Sequence, residues 1–381
     1  MPDLLWFLLP VAAFSGWWVA QRQQRETTGK QASQAYSAGY YEGLNYLLNE
    51  QPDKAVEVFV KSLPVSGETV EIHLALGSLF RRRGEIDRAI LLHQNLLEQP
   101  ELSSRQREQV MFELGQDHLS AGLLDRAEEL FLELKRSRNH AQAALRRLID
   151  VYQQEKDWAN AISAAYQYAD ITGERQDFII AHYYCELAEQ ALGEGRVGEA
   201  AGFVTKALQA DPQNVRAVLT MARMAIAQGD CQEAVKHLQG ILRRGVPYVS
   251  EILALLLECY QRLGWHERIP QVLAAVETPL DSVFETLDLA RLCDRYGEKA
   301  RARGLLERLL DRKPDSEVLS CYLDLLGEQF DCAATLDKLK RLLRQRANLA
   351  MRYLCSQCGF SGQELHWQCP SCKNWGTIQP I

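Results

Sequence analysis

Two short cysteine pairs carry the most specific chemistry in this sequence: Cys355-Ser356-Gln357-Cys358 and Cys369-Pro370-Ser371-Cys372, with ten residues between them. A Cys-x-x-Cys run folds into a tight knuckle that aims two thiolates at one point. Two such knuckles make a tetrahedral four-sulfur site for one metal ion. Both iron and zinc accept four thiolates, so the spacing leaves iron or zinc open. A redox-active dithiol pair is the competing use of such cysteines. Gly359 after the first knuckle and Pro370 within the second suit tight turns, and Tyr353, Phe360, Trp367 and Trp375 are expected to shield the sulfurs. His366 lies between the pairs, but four sulfurs already fill the site. About thirty residues bury too little surface to fold unaided, and a structural ion contributes on the order of 10–16 kcal/mol. The metal ligands are therefore read as Cys355, Cys358, Cys369 and Cys372.

Other chemical motifs have plainer explanations. Gly193-Glu194-Gly195-Arg196-Val197-Gly198 spells GxGxxG, yet a dinucleotide loop needs a strand before it. Here the preceding run, Ala181 to Leu192, reads as a helix, and the glycines mark its turn. Arg81-Arg82-Arg83 reads as a solvated corner. Lys338, Lys340, Arg341, Arg344 and Arg346 read as the solvated face of a basic helix, with docking to an acidic partner or a membrane surface as the alternative. The eight histidines are dispersed, with no HExxH run and no recognisable partner for a nucleophile. No catalytic and no cofactor-binding residues are expected beyond the metal ligands, and the chain reads as non-enzymatic.

The elements that must position the cysteines emerge from the rest of the 381 residues, too many for one ordinary core. Hydrophobic residues at 47% and charged residues at 24% exclude wholesale disorder. A net charge of −7 argues against nonspecific nucleic-acid binding, and no nucleic-acid partner is expected. Cys185, Cys231, Cys259, Cys293, Cys321 and Cys332 are scattered singly through helical patterns. That is cysteine used as a small apolar side chain in a reducing compartment, and a secreted disulfide framework is excluded.

The first segment, Leu4 to Ala20, is uncharged and strongly apolar, with Trp6 near one end and Trp17-Trp18 near the other. Its length in a helix is about 25 Å, at the short end of what spans a bilayer, and tryptophans favour the headgroup region. Asp3 is the only charge before it, while Arg22, Arg25 and Lys30 follow. That order lacks the features of a cleaved secretory signal. It predicts a single-pass anchor with the bulk of the chain on the cytoplasmic side. Residues 1–21 are read as the anchor and 22–33 as a linker.

Residues 34–346 show an internal period. Ala55, Ala89, Ala127, Ala161, Ala200, Ala234, Ile269 and Ala302 recur in one context at steps of 34, 38, 34, 39, 34, 35 and 33 residues. Twelve positions earlier stands a small or apolar residue (Gly43, Gly77, Gly115, Ile149, Ala188, Ala222, Leu257, Ala290), and four positions later a residue such as Phe59, His93, Phe131 or Leu238. This resembles the tetratricopeptide repeat: two antiparallel helices joined by a turn, here marked by Gly84, Gly122, Gly195, Gly229 and Gly264. No copy buries its apolar face alone, so the copies stack into a superhelix. Eight repeats are expected, with a degenerate ninth pair at 317–346 and lengthened turns near 102–106 and 172–178. The fold class is all-α, a repeat superhelix of eight to nine hairpins with an N-terminal transmembrane helix. Residues 347–381 form a small module whose cysteine pattern resembles rubredoxins and zinc ribbons, expected to pack on the final helices and to cap or orient the end of the stack. Concave repeat surfaces bind peptides or partner helices, so the default role is interaction.

In this order and at this length, Leu4–Ala20, the array and the four cysteines resemble the lipopolysaccharide assembly protein B (LapB/YciM) family of Gram-negative bacteria, over essentially the whole chain. The resemblance implies an inner-membrane adaptor regulating lipopolysaccharide synthesis, with the protease FtsH and the deacetylase LpxC as partners, and YejM among further membrane partners. It implies promotion of LpxC proteolysis. A general scaffold for lipopolysaccharide-synthesis enzymes and an electron-transfer protein with a rubredoxin-type iron are the alternatives.

Overall fold

The computed structural model describes residues 45–46, 54, 58, 69–244, 248–276, 282–312, 315–326 and 351–381. The expected anchor Leu4–Ala20, the linker, most of the first repeat, the latter part of the ninth pair and the basic run Lys338–Arg346 lie outside these residues. Among the described residues no helix is long and apolar enough to cross a membrane.

Fifteen α-helices precede a small sheet among the described residues. They pair as α1 (Val70–Arg82) with α2 (Ile86–Leu97), and α3 (Ser104–Ser120) with α4 (Leu124–Leu134). Then come α5 (Ala141–Glu155) and α6 (Trp158–Thr172), followed by α7 (Asp177–Gly193) with α8 (Val197–Ala210) and α9 (Val215–Ala227) with α10 (Cys231–Leu242). The series continues with α11 (Val249–Arg262), α12 (Arg268–Val276), α13 (Val283–Arg295), α14 (Lys299–Arg312) and α15 (Ser316–Leu326). The chain forms two compact units, Met1–Lys156 and Asp157–Ile381, divided between α5 and α6.

One turn chemistry recurs in both units. Glu85 N donates to Phe80 O, Leu123 to His118, Arg196 to Ala191, Asp230 to Ala225, Trp265 to Tyr260 and Glu298 to Cys293. These are the six-residue bonds of a helix closed by a left-handed residue. That residue is glycine at φ between 72° and 86° in all six turns, Gly297 included. Lys156 holds the corresponding place after α5 at φ 59°, a region that costs an L-residue about 1–2 kcal/mol.

The size code of the repeat has a steric origin. A Cβ on Gly77 would lie 2.2 Å from His93 Nε2, and one on Gly115 2.7 Å from Phe131, so the larger side chain of the second helix fills the space above the glycine. The anchor alanines Ala89, Ala127, Ala161, Ala200, Ala234 and Ala302 are fully buried, and Ile269 is buried in their place on α12, a helix of only nine residues. The long steps differ from expectation. The extra residues mostly lengthen α3 and α7 to 17 residues each, so helix begins at Ser104 and Asp177, inside the expected turns. Ser103 stabilises the first of these starts with a capping box to Gln106.

In the first unit Arg81 is no solvated corner. Its guanidinium bonds Asp117 Oδ1 and Glu113 Oε2, each at 2.6 Å, and the other oxygen of the buried Asp117 lies 2.5 Å from His93 Nδ1. The network ties α1, α2 and α3 together. In the second unit Cys231, Cys259 and Cys293 belong to the apolar core, as a small apolar role requires.

The sheet comprises β1 (Tyr353–Cys355), β2 (Ser361–Gly362) and β3 (Ile378–Pro380) in the antiparallel order β2-β1-β3. It belongs to the second unit and packs along its helices.

Candidate metal centre

Each knuckle is a closed loop set by local backbone bonds. In the first, Gly359 N donates to Cys355 O at 3.0 Å and Cys355 N to Phe360 O at 2.8 Å. In the second, Lys373 N donates to Cys369 O and Cys369 N to Asn374 O, both at 2.9 Å. The residue after each second cysteine is left-handed: Gly359 at φ 76° and Lys373 at φ 59°. The two loops thus share one fold, and the lysine does what the glycine does at some conformational cost.

The loops bring all four sulfurs together. Cys355, Cys358, Cys369 and Cys372 place their Sγ atoms within 4.8 Å of one another, with Cys355–Cys372 and Cys358–Cys369 each 3.7 Å apart. Four sulfurs bound at about 2.3 Å and tetrahedral angles stand about 3.8 Å apart. The cluster therefore fits one metal ion held by four thiolates.

The electrostatics point the same way. The Thr377 hydroxyl, 3.2 Å from Cys355 Sγ, and the amides of Gln357 and Cys358 push the Cys355 thiol down to about 6. The Phe360 amide lowers Cys358. Burial pushes Cys369 up to about 11, against the amides of Ser371 and Cys372. One cluster thus holds a thiol inclined to ionise beside one that resists it, and a cation at the centre resolves that conflict. Asn374 Nδ2 points at Cys372 Sγ from 3.5 Å.

Of the four expected shielding aromatics, two serve that role and two do not. Tyr353 and Phe360, with Leu365, pack on the core of Cys355, Cys369 and Ile378. Trp367 and Trp375 turn instead to the helices. The Trp375 ring stacks on His182 at 5.2 Å and meets Tyr183 and Trp158 edge-on at 5.9 and 6.1 Å, and Trp367 lies 5.2 Å from Tyr248. Gly376, at φ 60°, has no Cβ where Phe178 presses in. His366 meets the Phe360 ring and is no member of the sulfur cluster.

Among the described residues the module packs on the final helices, as expected, and also reaches well beyond them. It runs across the first helices of successive pairs, from Phe178 on α7 to Glu317 on α15. Tyr248 Oη donates to Ile378 O at 2.7 Å, Tyr353 Oη to Glu251 Oε1 at 3.0 Å, Arg352 to Glu317 at 3.1 Å and Ser282 Oγ to Ile381 O at 2.9 Å. The buried Arg216 of α9, paired with Glu186 and Glu189, lies over the Trp375 ring. The seat itself, Trp158, His182, Arg216 and Tyr248, escaped sequence reasoning. Its signal was α7, Asp177–Gly193, whose Phe, Ile, Tyr and Cys residues surround the helix on all sides. A helix apolar all round is covered all round.

Known proteins share both parts. A family model described as rubredoxin metal binding domain matches residues 353–380, and tetratricopeptide repeat models match 72–107, 112–176 and 191–264. Lipopolysaccharide assembly protein B of Escherichia coli K12 is 36% identical, covering 100% of this chain and 98% of its own. Its namesake from Haemophilus influenzae is 32% identical with the same coverage. A solved tetratricopeptide repeat protein from Parabacteroides merdae aligns with a TM-score of 0.34 at 14% identity, over 73% of this chain and 100% of its own. With identity above 30% from end to end, the chain belongs to the lipopolysaccharide assembly protein B family.

Proposed function

We propose that this protein is an adaptor in lipopolysaccharide assembly, anchored in the inner membrane by residues 1–21, with the repeat array and module in the cytoplasm. The carrying observation is the match to relatives named for lipopolysaccharide assembly over both the repeats and the four-cysteine module. In this reading Cys355, Cys358, Cys369 and Cys372 hold one iron or zinc ion, which supplies structure to a module too small to fold alone. The module holds the first helices of the second unit in register.

The finer reading is that the array presents the deacetylase LpxC to the membrane protease FtsH, with YejM as a further membrane partner. Confinement to the membrane plane raises the local concentration of whatever the array holds, so the adaptor speeds an encounter and makes or breaks no covalent bond. The test is the half-life of LpxC in cells with and without the protein, followed after blocking translation. Slower decay in its absence is expected. An unchanged half-life removes the proteolytic role and leaves the general scaffold reading.

A further inference from the structure

Beside the module, a groove of about 290 Å³ opens between α11 and α13, lined by Ser250, Glu251, Ala254, Asp288, Arg291, Leu292 and Arg295. This size lies at the lower end for ligand sites, about 300–1,000 Å³. Ala254 and Leu292 form an apolar floor. The charges around it are unequally satisfied. Asp288 and Glu317 are paired with Arg291 and Arg352. Glu251 accepts only from the neutral hydroxyls of Tyr353 and Ser250, and no cation pairs with it among the described residues. Arg295 is exposed and makes no ion pair or hydrogen bond among the described residues. Among the described residues the groove therefore carries one negative and one positive charge without an ion-pair partner.

The length of the groove along α13 follows from helix geometry. Tyr353 bonds Glu251 while its neighbour Arg352 approaches Asp288 at 3.8 Å, so these carboxylates mark the module end. Arg295 follows Asp288 by two turns of α13, about 10 Å of helix rise. Three residues of extended chain span about the same length.

We propose that this groove docks an extended peptide segment of a protein partner, with a lysine or arginine at Glu251, an aspartate or glutamate three residues away at Arg295, and small side chains between them over Ala254 and Leu292. The proposal rests on the adaptor reading and gives it a recognition rule. Opposite charges at the two ends set the register of the bound strand, and the narrow floor excludes bulky central residues. The module supplies the Tyr353 hydroxyl that orients Glu251, so the site is complete only when the module is seated.

The test uses the purified full chain and two fluorescent, end-capped peptides of equal composition. One is centred on Lys-Ala-Ala-Asp and the other on Lys-Asp-Ala-Ala, and binding is read by anisotropy. The spaced peptide is expected to bind about tenfold more tightly. Glu251→Gln, which still accepts from Tyr353, and Arg295→Ala, on an exposed side chain, are each expected to erase the preference. A peptide centred on Lys-Ala-Ala-Lys is expected to bind Arg295→Glu better than the parent. Equal affinities, no binding at millimolar peptide, or an experimental structure with residues 327–350 filling the groove would overturn the proposal. None of these results bears on the LpxC half-life, so the adaptor reading and the groove fail separately.

Discussion

At the scale of single residues, two positions show how local physics departs from the repeat rule. Lys156 sits where six other turns carry glycine, at φ 59°. Lys156→Gly is expected to raise stability by about 1 kcal/mol, read by urea unfolding, because it removes a left-handed L-residue; a loss of stability would mean that the lysine side chain does more than close a turn. His182 is buried against Trp375, and burial followed by the nearby Arg216 lowers its pKa to about 3. The unfolded imidazole titrates near 6.5. The unfolded chain therefore takes up a proton that the folded chain refuses between those values, and the stability owed to neutral His182 is lost as pH falls through that window, by up to about 1.4 kcal/mol per pH unit. The difference in unfolding free energy between the parent and His182→Gln, measured from pH 7 down to pH 4, isolates this slope from other acid effects. A pH-independent difference would show that His182 takes up its proton as readily in its seat as in the unfolded chain. The same scale explains what was legible. Cys355, Cys358, Cys369 and Cys372 were readable because a knuckle is a local object whose spacing is its geometry. Arg81 was misread because its partners Glu113 and Asp117 lie a whole repeat away.

At the scale of elements, the helical hairpins were readable because close packing writes a size rule into the chain. Gly77 under His93 and Gly115 under Phe131 are the rule seen directly. The lengths of α3 and α7 were less readable, since extra residues in a repeat extend a helix as easily as a loop. The seating of β1, β2 and β3 was readable only in outline, as packing on the final helices, while its reach to α7 showed only in the all-round apolarity of that helix. These first-helix surfaces lie outside the size rule of the repeat, and several of the contacts join residues far apart in sequence, such as Tyr248 with Ile378, 130 residues away. Trp375 is the chief anchor of this seating. Trp375→Ala is expected to cost about 3–5 kcal/mol of docking, visible as faster amide exchange in α7 and β3 with α1 and α3 unchanged. Undiminished protection of α7 would assign the seat to the polar bonds alone.

At the scale of the molecule, an array of hairpins ordinarily melts by nearest-neighbour steps. Here the module touches five first helices at once and makes their unfolding a shared event. The paired change Cys355→Ser with Cys358→Ser is expected to drop bound metal from one ion per chain toward none, measured by plasma emission. It is also expected to broaden the thermal transition of the second unit. Retention of a stoichiometric ion would dismiss the four-thiolate assignment.

The module's position also dictates an order of events during synthesis. Phe178 and His182 leave the ribosome nearly two hundred residues before Trp375, which at ordinary elongation rates is a delay of roughly 10–40 s. Through that interval a strip of aromatic and acidic side chains awaits a cover that has not yet been translated. Any chain cut short before Trp375 leaves that strip uncovered, because its cover lies in the module residues that pack on His182, Tyr248 and Glu251.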